Sequence, residues 1–214
     1  MTRKFLPLLA ILALVFTSKL SAQKDVELVN SGQVLYDGNL YYYTGHYQKA
    51  EEEFRKVGRN DTNYAEVLRD LALTYSDDKE DSLCAITCRA GIALESVYSP
   101  DFYNLLGISL KEMNQTDSAI KVFDKAIELY PYTYVLYYQK GMTYYKKKDY
   151  KEAEKWFQTA IKINPYHAAS HFQLGKICAE EGRLIPAMLS YEFYLMLDPS
   201  TQSDRAKKVV SQME

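Results

Sequence analysis

The sequence is short of most features that mark a specialised class. Three cysteines are too few, and odd in number, for a pure disulfide framework. Nine glycines and six prolines exclude a collagen-like or linker-rich chain. There is no basic excess: 26 basic against 28 acidic residues give a net charge of −2, which argues against nucleic acid as the partner. The long apolar run, residues 5–16, falls short of the ~20 residues that span a hydrocarbon layer. No glycine-rich phosphate loop, nucleophile elbow or zinc-ligand spacing is present, so nothing points to catalysis, a cofactor or a metal. What is abundant is tyrosine, with 20 copies, in a chain whose 47% hydrophobic and 25% charged residues suit a globular protein.

The first 22 residues have the order of an export signal. Arg3 and Lys4 precede the apolar run, and Thr17, Ser18, Ser21 and Ala22 follow it, with Gln23 as the expected first mature residue. Removing them takes away Arg3, Lys4 and Lys19 and no acid, so the net charge moves from −2 to −5. The expectation is an exported, mildly acidic protein with no membrane span after cleavage, placed in a Gram-negative periplasm or otherwise secreted.

A period of 34 governs the remainder. Pro131, Pro165 and Pro199 keep that step, as do Gly107, Gly141 and Gly175, and Ala119, Ala153 and Ala187. Phe123, Phe157 and Tyr191 form a fourth column, and Tyr103, Tyr137 and His171 a fifth. The pattern resembles the tetratricopeptide repeat, with an aromatic at position 4, a small residue at 8, aromatics at 11 and 24, Ala at 20 and 27, and Pro at 32. Residues 134–167 supply all of them, as Tyr137, Gly141, Tyr144, Ala153, Phe157, Ala160 and Pro165. The same frame predicts units at 31–64, 65–99, 100–133 and 168–201, the second carrying one extra residue. Residues 202–214 should form a terminal capping helix, because Ala206, Val209, Val210 and Met213 make an i, i+3, i+4, i+7 stripe.

The resemblance implies an all-α fold: a right-handed superhelical solenoid of antiparallel helix pairs, A and B, with the A helices on the concave face. Small residues at positions 8 and 20 should let A and B approach, with Ala153 facing Gly141, while the aromatics at 4, 11 and 24 fill the space between units. Proline at 32 stops helix B through its missing N–H and its steric demand on the preceding residue. Asp149 and Glu152 have the spacing of a capping box. Cys84, Cys88 and Cys178 fall in packing columns, and free cysteine packs as a small hydrophobe. His167 and His171 lie four apart, but His171 fills an aromatic column and no third ligand is placed beside them.

Ligand-facing positions in this family are 2, 5, 9, 12 and 13. They map to Leu35, Asn39, Tyr42 and Tyr43, then to Arg69, Leu73 and Ser76, and to Asn104, Ile108 and Lys111 in the third unit. The fourth unit adds Val135, Tyr138, Met142 and Tyr145, and the fifth Phe172, Lys176 and Ala179. Leu35, Leu73 and Met142 stand where a cluster gripping a C-terminal carboxylate would need polar groups. The implied function is a non-enzymatic scaffold that holds a peptide segment of an envelope or secreted partner, or else a structural protein that self-associates through its edge repeats. Charge runs unevenly along the array, −4 in 65–99 and +4 in 134–167, which would orient a partner.

Overall fold

A computed structural model of the chain describes residues 29–197 and Ser211. The expected leader and, but for Ser211, the expected capping helix lie outside the described residues. Among residues 29–197 ten helices follow one another in pairs: α1 (Ser31–Tyr43) with α2 (Tyr47–Phe54), α3 (Tyr64–Asp77) with α4 (Asp81–Ile92), and α5 (Ser99–Glu112) with α6 (Thr116–Leu129). Then come α7 (Tyr134–Lys146) with α8 (Tyr150–Ile163), and α9 (Ala168–Glu180) with α10 (Leu184–Leu197). No strand occurs among the described residues. Each A helix packs on its own B helix, each B helix on the next A helix, and the A helices touch in a row from α1 through α7. The fold is the expected all-α solenoid.

A feature outside the expected pattern closes every A–B turn. Gly45, Lys79, Asn114, Lys148 and Gly182 all have positive φ, between 60° and 75°. The next residue then returns its N–H to a carbonyl near the end of helix A: His46 to Tyr41 and Glu80 to Tyr75 at 2.8 Å, Asp149 to Tyr144 at 3.0 Å. This is the Schellman closure, which satisfies a carbonyl the helix end would leave orphaned. Left-handed backbone costs a non-glycine residue about 1–2 kcal/mol. Lys79→Gly should therefore stabilise the chain by about 0.5–1 kcal/mol in urea denaturation, after glycine's larger entropy loss is deducted. A loss of stability would mean that the Lys79 side chain contributes more than its backbone strain.

Helices A and B meet through a glycine column. A Cβ built on Gly38, Gly107, Gly141 or Gly175 would lie 2.4, 2.2, 2.7 or 2.6 Å from the ring of Phe54, Phe123, Phe157 or Tyr191. The position-24 aromatic thus presses on the glycine of its own unit, not only into the space between units. Ala153 is wholly buried, but the group against Gly141 is Phe157. The reason is geometric: helical side chains lean toward the N-terminus, so a ring one turn after Ala153 covers the spot its short methyl cannot reach. In the second unit these two columns hold Ala72 and Cys88, a larger residue matched by a smaller one. Cys84 and Cys88 are buried with their sulfurs 3.9 Å apart, and Cys178 is buried too.

Position 4 ties the fourth and fifth units to the turn before them. Tyr137 donates to the carbonyl of Pro131 at 2.9 Å, and His171 Nε2 lies 2.9 Å from that of Pro165. A histidine fills the aromatic column because it keeps this bond. The capping box at α8 is half formed: Asp149 accepts from the Glu152 N–H at 3.2 Å, while its own N–H is taken by Tyr144. The extra residue of the second unit is absorbed in the six-residue connection 93–98, where Glu95 also has positive φ.

Candidate protein-binding groove

The A-helix face divides into stretches with different duties. At its N-terminal end Asn39, Tyr42, Tyr43, Arg69 and Leu73 come together around a pocket of about 250 Å³. The residue organising it is Asp70, which is buried and absent from the expected set. Asn39 Nδ2 donates to Asp70 Oδ2 at 3.1 Å, and Arg69 Nε donates to Asp70 Oδ1 at 2.8 Å. The Arg69 guanidinium also lies 4.8 Å from the centre of the Tyr98 ring. Both polar side chains are thereby fixed in the pocket wall, and Tyr43, 82% exposed, is the part offered outward.

A second cluster joins the third and fourth units. Lys111, Met142 and Tyr145 line a pocket of about 390 Å³ with Glu112, Lys146 and Tyr150. Lys146 bridges the units by donating to the Lys111 carbonyl at 2.6 Å. Tyr145 donates to Glu180 Oε1 of the next unit at 2.9 Å, and Lys176 Nζ lies 4.8 Å from its ring centre. The bond from Tyr42 to Asp77, 2.5 Å, is its counterpart at the first junction. Burial, together with the carboxylate acceptor, holds both tyrosine hydroxyls well above the usual phenol range, so they stay protonated donors. Each bridge runs from position 12 of one unit to position 13 of the next. A carboxylate at 13, as in Asp77, Glu112 and Glu180, is the sequence signal that would have found them.

Three expected groove residues also serve packing. Tyr138 sits half-buried with its ring 5.7 Å from Phe157 and edge-on to His167 at 4.8 Å, against the core group of Ala153, Phe157 and Ile177. Removing its ring would therefore cost packing as well as groove surface. Phe172 lies 5.2 Å from Tyr194, the large residue at position 27 of the last unit. Leu35 packs against the main core. His167 and His171 are not juxtaposed for a metal: Nδ1 of His167 is 2.7 Å from the Ser170 hydroxyl, and His171 is held at Pro165.

Between the two pockets, in α5, stand Asn104 and Ile108, both half-buried. Asn104 Oδ1 is shut off from solvent with no hydrogen-bond donor among the described residues. A buried acceptor left unpaired costs about 1–3 kcal/mol, so a turn of this half-buried side chain toward a donor would be favoured.

Comparison with known proteins supports the architecture. Residues 100–133 and 134–167 each match models of the tetratricopeptide repeat. Over 172 residues the chain is 24% identical to the human protein O-mannosyl-transferase TMTC1, covering 77% of this chain and 19% of that protein. Over 94 residues it is 29% identical to the tetratricopeptide repeat and J domain-containing co-chaperone DNJ1 of Cryptococcus neoformans, covering 44% and 18%. The chain thus spans about a fifth of the length of these curated relatives. Among solved structures, the thermophilic tetratricopeptide protein TTC0263 of Thermus thermophilus superposes with a TM-score of 0.69 at 20% identity, covering 85% of this chain and 98% of that one. PilF of Pseudomonas aeruginosa gives 0.65 at 18% identity, covering 85% and 86%, and MamA gives 0.61 at 21%, covering 77% and 96%. Tetratricopeptide repeats generally act as protein-interaction scaffolds, typically without enzymatic activity.

Proposed function

We propose that the protein is an exported, non-enzymatic adaptor whose A-helix face holds an extended segment of an envelope or secreted protein. The observation that carries this reading is Asn104: its oxygen is unpaired, and the half-buried side chain, by turning outward between two pockets, would offer it to a peptide N–H. Tyr43 at one end and Met142 with Tyr145 at the other would receive side chains of the same segment, since tyrosine gives large contact area with little rotamer entropy to lose. The order of residues 1–22 supports export, and the periplasm of a Gram-negative bacterium is the proposed compartment.

Asn104→Leu separates binding from stability. Replacing an unpartnered buried amide by an apolar side chain of similar size should leave the folded chain as stable or slightly more so. Capture of the partner should nevertheless weaken about tenfold, or ~1.4 kcal/mol. The measurement is affinity capture from envelope extract with the exported protein, whose intact mass should begin at Gln23, then titration of the captured partner against both forms. Equal affinity for both forms would remove Asn104 from the site, and a mass that retains residues 5–16 would refute the export reading.

A further inference from the structure

The outward face of α10 is built unlike those of α6 and α8. On α6 the outward positions are Asp117, Lys121, Lys125 and Glu128, and on α8 they are Lys151, Lys155, Thr159 and Lys162. The corresponding residues of α10, each 34 further on, are Ile185, Leu189, Phe193 and Met196, exposed at 73, 52, 51 and 77%. Glu192 is the single charge of the helix. A helix following α10 would not cover this stripe: α9 packs directly on α8, yet Lys151, Lys155 and Lys162 remain exposed.

The junction beside the stripe differs in the same sense. Between α6 and α8, Lys140 pairs with Asp124 and places its ammonium 3.4 Å from the centre of the Trp156 ring. One repeat later these three become Leu174, Gln158 and Ser190, and the filling is lost. An apolar groove of about 410 Å³ is left, walled by Ile161, Leu174, Leu189 and Phe193.

We propose that this face pairs two copies of the chain about a two-fold axis. An interface with one charge per helix asks for an apolar counterpart, and the same face of a second copy supplies one, as an isologous contact requires. Antiparallel pairing with Leu189 on the axis sets Ile185 of each copy against Phe193 of the other. The four stripe side chains present roughly 500 Å², the apolar centre of an interface whose polar rim would bring it toward the ~800 Å² per partner of a standard one. The proposal does not rest on the groove reading, because it uses B-helix residues alone.

Sedimentation velocity on the exported chain, across about 1–100 µM, should show a dimer growing with concentration. Ile185→Lys with Leu189→Lys restores what α8 carries at these positions, so folding is not at risk, and dimerisation should weaken at least about tenfold. Leu189→Cys should cross-link to its own copy through a short bis-maleimide, while Lys155→Cys on α8 should not. A wild-type monomer throughout the range would overturn the proposal, whether the face then meets a membrane, another protein or residues 198–214. A dimer that persists in the double lysine variant would overturn it equally, by placing the contact elsewhere.

Discussion

Gly107→Ala should destabilise the protein by about 1–3 kcal/mol, although alanine is the better helix former by nearly 1 kcal/mol. The added methyl would sit 2.2 Å from the Phe123 ring, in a core where that ring is wholly buried and has no room to retreat. Overpacking therefore outweighs propensity, and the sign of the change decides the register. Gly58→Ala, where a Cβ meets nothing within 4 Å, is the matched control and should change little. Adding Phe123→Leu to Gly107→Ala should recover part of the loss, giving a combined effect smaller than the sum of the single ones. Urea denaturation of the wild type, the three single variants and the double variant gives the numbers. An unaltered Gly107→Ala chain would mean that helices α5 and α6 do not pack through this column.

Met142→Ala with Tyr145→Ala should weaken partner binding by at least about tenfold, and by as much as a hundredfold if the pocket is the anchor of the site. Both side chains face the 390 Å³ pocket, and Tyr145 also carries the bridge to Glu180. Truncation costs some packing as well, so binding is compared only after circular dichroism shows the variant folded at the assay temperature. Tyr145→Phe separates the two contributions: it keeps the ring and removes the bond to Glu180. Lys155→Ala, on exposed α8 surface, should bind like the wild type. Unchanged affinity in the double variant would shift attention from the A-helix face to the loops and edges.

Helix pairing was legible because it follows from spacing. Pro131 and Pro165, placed by the period as stops for helix B, each stand two residues beyond their B helices. Which atom meets which was less legible. The columns named Gly141 and Ala153 as neighbours, but the lean of helical side chains gives that contact to Phe157. Tyr138 misled for a related reason: position 5 borders the core, and whether its ring faces out depends on His167 in the next connection. Asp70 was missed because a carboxylate on a helix ordinarily signifies a solvated face, and Glu180 because its signal, a carboxylate at position 13 following a tyrosine at 12 in the unit before, shows only when neighbouring units are read together.

The buried side chains do not form one continuous mass. From Val34 to Leu136 they make a single group, whereas Ala153, Phe157 and Ile177 make a second, and Tyr191 with Tyr194 a third. In a linear array each unit is held chiefly by its neighbours, so a break in the core is a place where cooperativity is lost. Helices α8–α10 should consequently act as a latch, opening while α1–α7 stay closed. Hydrogen exchange along the chain would register this as protection that steps down beyond α7. Whatever grips α10 would then hold the latch shut, turning an event at the far surface into rigidity of the pocket around Met142 and Tyr145.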